Sequence, residues 1–200
     1  MQLASIQVAL VVGGETAAGY SDKVDIFNID ASSFACSGVP KLPQKLSRGF
    51  GGALDDVILF CGLHNPTTTK CFTFTLGNAD WVEIPPRPSM NGYYDSTVVR
   101  VSGDRLWIVG GRTDFLMTGN TWMYRKSDGI IVNWHVNLPE ASQGFGACVV
   151  DLGGDEFFVS SLMGTGSSYK INGHTGVFIY TVEQLSCRLV GSRNNGKMQN

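Results

Sequence analysis

RLWIVGG, residues 105–111, is the stretch on which the reading of this chain turns. Its apolar run has a β-branched centre and is stopped by Gly110 and Gly111, too early for a helix, so it reads as a buried strand. The same device stands upstream as VALVVGG at 8–14 and, more weakly, as VILFCG at 57–62. A fourth version, EFFVSSL at 156–162, lacks the glycines. The second glycines or their equivalents fall at 14, 62 and 111, and the fourth run ends near 162. The period is roughly 50 residues, which makes the chain a tandem repeat.

Further signals complete each unit. After Gly62 come the loop HNPTTT, the alternating strand KCFTFTL, the turn GNAD and WVEIP. After Gly111 come RTDFLMTG, NTWMYRK, SDGIIV and WHVNLP. Ahead of the later apolar runs lie small-residue strands: RGFGGAL at 48–54, YYDSTVV at 93–99 and GFGACVV at 144–150. Each unit therefore reads as four antiparallel strands, the pattern of a propeller blade. The predicted fold is all-β, with about four consecutive four-stranded blades at 5–40, 44–85, 92–139 and 144–190, followed by a polar tail at 191–200. Small residues suit inner strands that converge, whereas Trp81, Trp134 and Phe34 are expected to fill the gaps between units. Gly13, Gly14, Gly62, Gly110 and Gly111 are expected to serve the backbone, through positive φ or close strand approach.

An apolar run into Gly-Gly, an aromatic strand and then a Trp resembles kelch repeats. The residues that carry the resemblance are Gly13-Gly14, Gly110-Gly111, the aromatic positions Phe27, Phe74 and Tyr124, then Trp81 and Trp134, with Arg48 as the basic residue before an inner strand. The resemblance covers roughly residues 5–190 and implies a kelch-type propeller. The second unit departs with Cys61-Gly62 and the fourth with Ser160-Ser161, while Tyr169 and Tyr180 both compete for the fourth aromatic position. The first unit begins at its second strand, and kelch propellers have more than four blades. An incomplete or open array with further blades outside this chain is the expectation.

Charged residues make up 16% of the chain and the formal net charge is −2, without a block of like charges. No nucleic-acid groove or anionic membrane surface is indicated. No apolar run approaches the ~18 residues that a membrane span needs. The cysteines (Cys36, Cys61, Cys71, Cys148, Cys187) match no zinc spacing. Cys61 closes one strand and Cys71 opens the next, so directly opposed they come within disulfide range. The order Cys36, Leu42-Pro43, Arg48, Cys61-Gly62, Cys71, Trp81 also resembles kelch-like propellers of secreted invertebrate proteins, which implies an extracellular setting. Five small buried thiols in a cytoplasmic protein remain the other reading.

Second and fourth strands of such a unit run the same way, so their exit loops share one face. These are 15–22, 63–69, 112–119 and 163–168, then 41–47, 86–91 and 140–143. Arg112, Asp114, Phe115 and Leu116 form the most suggestive cluster, an interface anchor unless Phe115 and Leu116 fold back onto the scaffold. Tyr20, His64 and Arg87 fall on the same face. Catalysis is not expected, and neither is a metal or cofactor. His64, His135 and His174 fall on separate elements, no Tyr–Cys–His set matches the copper radical oxidases of kelch fold, and Ser127-Asp128-Gly129 is a lone echo of a sialidase Asp-box. The expected function is a non-enzymatic protein-interaction module. Alternatives are a fragment of a galactose-oxidase-like or sugar-active enzyme, or a kelch adaptor that recruits substrates to a ubiquitin ligase.

Overall fold

The computed structural model describes residues 8–35, 39–85, 90–101, 104–113, 116–134, 138, 148–160, 167–172, 175 and 178–183. It is all-β, built from antiparallel sheets whose strands follow one another in chain order. In the first sheet β1 (Val8–Val12) leads into a small ribbon of β2 (Glu15–Thr16) and β3 (Gly19–Tyr20). β1 then pairs with β4 (Val24–Asn28), which pairs with β5 (Ser33–Ala35). The second sheet runs β6 (Ser47–Leu54), β7 (Val57–Asn65), β8 (Thr68–Thr75) and β9 (Val82–Ile84).

A short strand, β10 (Tyr93–Tyr94), precedes the third sheet. That sheet contains β11 (Thr97–Val101), β12 (Arg105–Val109), β15 (Thr121–Arg125) and β16 (Ile130–Trp134). Between β12 and β15 the chain forms β13 (Arg112–Thr113) and β14 (Leu116–Met117), which pair with each other while β13 also pairs with β10. The fourth sheet runs β17 (Cys148–Gly153), β18 (Glu156–Ser160), β19 (Ser167–Asn172) and β20 (Phe178–Glu183).

Burial explains why the second strands are continuously apolar. On β12, Leu106 and Ile108 enter a cluster shared with the second sheet, through Phe50, Leu59 and Cys61. Trp107 and Val109, pointing the other way, join Phe157, Val159 and Tyr169 of the fourth sheet. β7 behaves alike: Val57, Leu59 and Cys61 face the third sheet, while Phe60, with Ile58 packed alongside, faces Leu10, Val12 and Val24 of the first. A sheet covered on both faces loses the polar-out alternation of a half-solvated one. The sheets thus stack in order, each apolar layer shared by two neighbours.

Cys61 and Cys71 are register partners on β7 and β8, both fully buried, and they form a disulfide with Cα atoms 4.1 Å apart. Cys36 and Cys187 lie outside the described residues.

Several expectations need correction. Trp81 is buried, tilted against Phe74 with ring centroids 5.3 Å apart, and its indole N–H donates to the Pro40 carbonyl at 2.9 Å. Phe34, however, is 68% exposed, with the edge of Phe27 at 5.2 Å, because β5 is the outer strand of its sheet. Trp134 is half-buried and packs against the layer between the third and fourth sheets, as expected, but it stands at the end of β16 because the hairpin turn falls at 126–129 with Gly129 at φ 64°. YYDSTVV is two strands and not one: Asp95, at φ 55°, breaks β10 from β11. Two of the second-strand exits are also paired: β7 and β8 carry their pairing out to Asn65 and Thr68, and Arg112–Thr113 pairs with Leu116–Met117 as the β13–β14 ribbon.

Gly13, Gly14, Gly110 and Gly111 all have positive φ (65°, 113°, 60° and 125°), whereas Gly62 lies in β7 and is needed for close approach, a Cβ there being 3.0 Å from the Ser47 carbonyl. A Cβ on Gly111 would sit 2.5 Å from Ser96 Oγ and 2.9 Å from the Tyr93 ring, while one on Gly77, at φ 94°, meets nothing within 4 Å. Gly77→Ala should therefore cost only backbone strain, about 1–2 kcal/mol, and Gly111→Ala clearly more in urea denaturation. Replacing both Cys61 and Cys71 by Ala should lower stability by about 2–3 kcal/mol, read as the difference between wild type and variant under non-reducing conditions.

Candidate functional site

The second and third sheets meet at one end through β10, whose two successive tyrosines are both buried. Tyr93 is fully buried, edge-on to Phe50 at 6.2 Å and to Trp122 at 5.7 Å. Its hydroxyl donates to the Gly110 carbonyl, with the Asn120 carbonyl 3.1 Å away. Its backbone N–H donates to Thr69 Oγ1 at 2.6 Å, and the Thr69 hydroxyl donates back to the Tyr93 carbonyl at 2.9 Å. Burial keeps the Tyr93 phenol protonated well above the usual range. Tyr93 is an anchor that pins β10 to β8 and to the glycine pair.

Tyr94, the next residue along, receives two cations. The Arg48 guanidinium lies 5.4 Å from its ring centroid and that of Arg112 lies 5.7 Å away, both within cation–π range. Arg112 arrives there as the register partner of Tyr94 across β10–β13. Arg48 arrives because β6 bulges: pairing jumps from Ser47 to Phe50, leaving Arg48 and Gly49 outside the ladder with Arg48 at φ 48°. Counted back from the inner-strand ends, Leu54 and Val101, Arg48 and Asp95 occupy equivalent positions of the repeat, and both are left-handed. The repeat thus places a kinked polar residue at the start of these two inner strands.

Asp95 is half-buried. Burial pushes its carboxyl up from the ordinary range, and the charges of Arg48 and Arg112 pull it partly back. Among the described residues neither arginine forms an ion pair with it, and Arg48 has no ion-pair partner at all. Leu116 sits on β14 opposite Thr113, one register position from the Arg112–Met117 pair and so on the other face of the ribbon, and is 71% exposed.

Of the residues singled out in the sequence, Arg112 and Leu116 stand on the same β13–β14 ribbon at adjacent register positions. His64 lies at the corresponding end of β7, exposed, with Nδ1 3.5 Å from the Lys45 carbonyl. Tyr20 is half-buried on β3, opposite Glu15. Arg87, Asp114 and Phe115 lie outside the described residues, as do His135 and His174. Tyr94 and Asp95 were not anticipated; a polar residue ahead of each inner strand is their only trace in the sequence. Chemically the cluster is equipped to hold an anion, with aromatic support. Among the described residues no three His, Cys, Asp or Glu side chains gather as metal ligands. No protein-family model matches the chain, and no curated protein matches it either.

A second concavity, about 660 Å³, lies between β1 and β6 and is lined largely by apolar groups, including Leu10, Val12, Phe50 and Phe60.

The charge balance makes a pH prediction. Asp95 has its folded pKa raised, so its contribution to stability is fully present below the unfolded value near 3.8 and is lost as pH rises through the folded pKa. Asp56, bonded to Lys126, and Asp104, bonded to Ser127, are lowered and act oppositely, their contributions vanishing as pH falls through their folded pKa values. Asp95→Asn should therefore raise Tm relative to wild type at pH 7, with the two curves converging at and below about pH 3.8.

Proposed function

We propose that the sheets are consecutive blades of an incomplete or open kelch-type β-propeller array, and that the protein is a non-enzymatic interaction module whose recognition face is the end bearing Arg48, Tyr94, Arg112 and Leu116. Three observations support the array: the repeat period, the burial of successive sheets on both faces, and the contact of inner strands β6, β11 and β17 in order. The cleft between β1 and β6 fits it too, lying where the repeat would set one more inner strand.

The functional reading is carried by Leu116. A large apolar side chain, 71% exposed, stands on the same paired ribbon that carries Arg112, whose guanidinium lies 5.7 Å from the Tyr94 ring centroid. Interface anchors are drawn from this mixture of Arg, aromatic and apolar groups held on a rigid support. Recruitment of a protein partner needs nothing more from the chain. The buried Cys61–Cys71 bridge supports folding in an oxidising compartment, hence a secreted or surface-exposed protein.

The test is position-specific crosslinking. A photo-reactive residue at position 116 should capture a discrete partner from the protein's native fluid. The same residue at position 76, where Leu76 is 55% exposed on the turn after β8, should not. Leu116→Ser should reduce that capture while leaving Tm essentially unchanged, since an exposed substitution shifts stability by no more than about 0.5 kcal/mol. Equal capture at both positions, or a fall in Tm on Leu116→Ser, refutes this face as the recognition surface.

A further inference from the structure

One sheet of the stack is unfinished. β7, β12 and β18 each pair with an inner strand, β6, β11 and β17, whereas among the described residues β1 pairs only with β4. The Gly13 N–H donates to the Lys23 carbonyl at 2.9 Å, in register with the β1–β4 ladder. By alternation Ala9 and Val11 also bond to β4, and the backbone N–H and C=O groups of Leu10 and Val12 point to the open edge. Among the described residues no strand pairs with that edge. It looks into the cleft of about 660 Å³, whose opposite wall is β6. On that wall Gly49, Gly51 and Ala53 are exposed, while Phe50 and Leu54 turn to the third sheet. A Cβ on Gly49 would meet the Phe60 ring at 2.3 Å, so the ring lies against bare backbone and lines the cleft.

The cleft offers main-chain donors and acceptors on one side and apolar surface on the other. An acyl chain or other apolar small molecule uses only the second and leaves the strand edge unmet. An extended polypeptide uses both. Side chains directly opposite one another share a face, and Leu10 and Val12 face the second sheet. The occupant's side chains opposite those two therefore enter the cleft, which calls for bulky apolar groups, and the ones between point to the face where Val11 is 48% exposed. Inner strands β6, β11 and β17 touch in order, and the cleft continues their row. Every strand among the described residues already belongs to a sheet, so a second copy has none of these to lend.

We infer that β1 is an acceptor edge for a strand donated by a separate polypeptide, an extended segment antiparallel to β1 whose alternate bulky apolar side chains fill the cleft against β6. The site shares no residue with the face proposed above and stands or falls separately.

The probe is a blocked pentapeptide, matching the five residues of β1, with leucine at its first, third and fifth positions and threonine between. At saturating peptide, hydrogen exchange of the Leu10 and Val12 amides should slow roughly tenfold or more, and that of Ala9 and Val11, already bonded to β4, far less. N-methylation of the central leucine should abolish binding, because its N–H faces β1. N-methylation of the threonines, whose N–H groups face away, should be tolerated. Serine in place of the leucines should weaken binding at least roughly tenfold, and so should Ala53→Glu on the cleft wall. Equal sensitivity to both methylations, no binding of the pentapeptide, or equal slowing at Ala9 and Val11 overturns the inference. Dodecanoate competing as well as the peptide means an apolar pocket only, and also overturns it. So does slow exchange of Leu10 and Val12 in the protein alone, which means that the chain fills its own edge. Because Leu76 lines this cleft, crosslinking at 116 and 76 is compared with the cleft filled by the pentapeptide, which keeps the two proposals apart.

Discussion

The structure depends on one constraint: the inner sheets bury both of their faces. Leu106 and Ile108 go one way and Trp107 and Val109 the other, and each set forms half of a layer completed by a neighbouring sheet. A single unit of this kind leaves apolar surface open on two sides and has no core of its own. Stability is then a property of adjacent pairs, as in other stacked repeats. The same constraint accounts for the composition, with charge kept to hairpin turns and to strand positions that reach solvent, such as Glu83. There, exposed pairs such as Arg100–Asp55 at 2.8 Å, and Lys126–Asp56, link the second sheet to the third. Exposed pairs of this type add little energy. The apolar layers carry the association.

The end that holds the arginine cluster is a by-product of the same stacking. Where β10 crosses from the second sheet to the third, Tyr93 is fixed by Thr69 on one side and by Gly110 and Asn120 on the other. The positive φ of Gly110 and Gly111 lets the chain leave β12 sharply and return as the β13–β14 ribbon, which delivers Arg112 to Tyr94. Arg48 comes from a different sheet and reaches the same ring through its bulge. Tyr93 and Tyr94 thus occupy consecutive buried positions, one bonded to the backbone of both sheets and the other lying under the two arginines. At Asp95 burial works against folding at neutral pH, a pattern common at functional sites.

The strands were legible because their signals are local. Apolar runs stopped by glycine located β1, β7 and β12, and the glycine-free run located β18. The Cys61–Cys71 bridge followed from the same pattern, because a hairpin of known register sets its residues opposite one another. Errors arose where one residue's backbone conformation decided the outcome. YYDSTVV alternates like one strand, yet Asp95 turns left-handed and splits it; IIVNWHVN gave no local sign of whether Trp134 begins or ends a strand. Phe34 failed for another reason, since whether an aromatic is covered depends on what lies beyond its sheet.

By itself, then, the sequence determined the repeat, the order of strands within each unit and the hairpin that carries the disulfide, because each rests on periodicity over a few residues. Only the tertiary structure decided which residues share the end near Tyr94. Arg48 and Arg112 belong to different repeats, and their meeting requires a bulge, a pair of positive-φ glycines and a shared layer between two sheets. None of these is written in the spacing of residues along one strand, since each depends on the close packing of chain segments that are far apart in sequence.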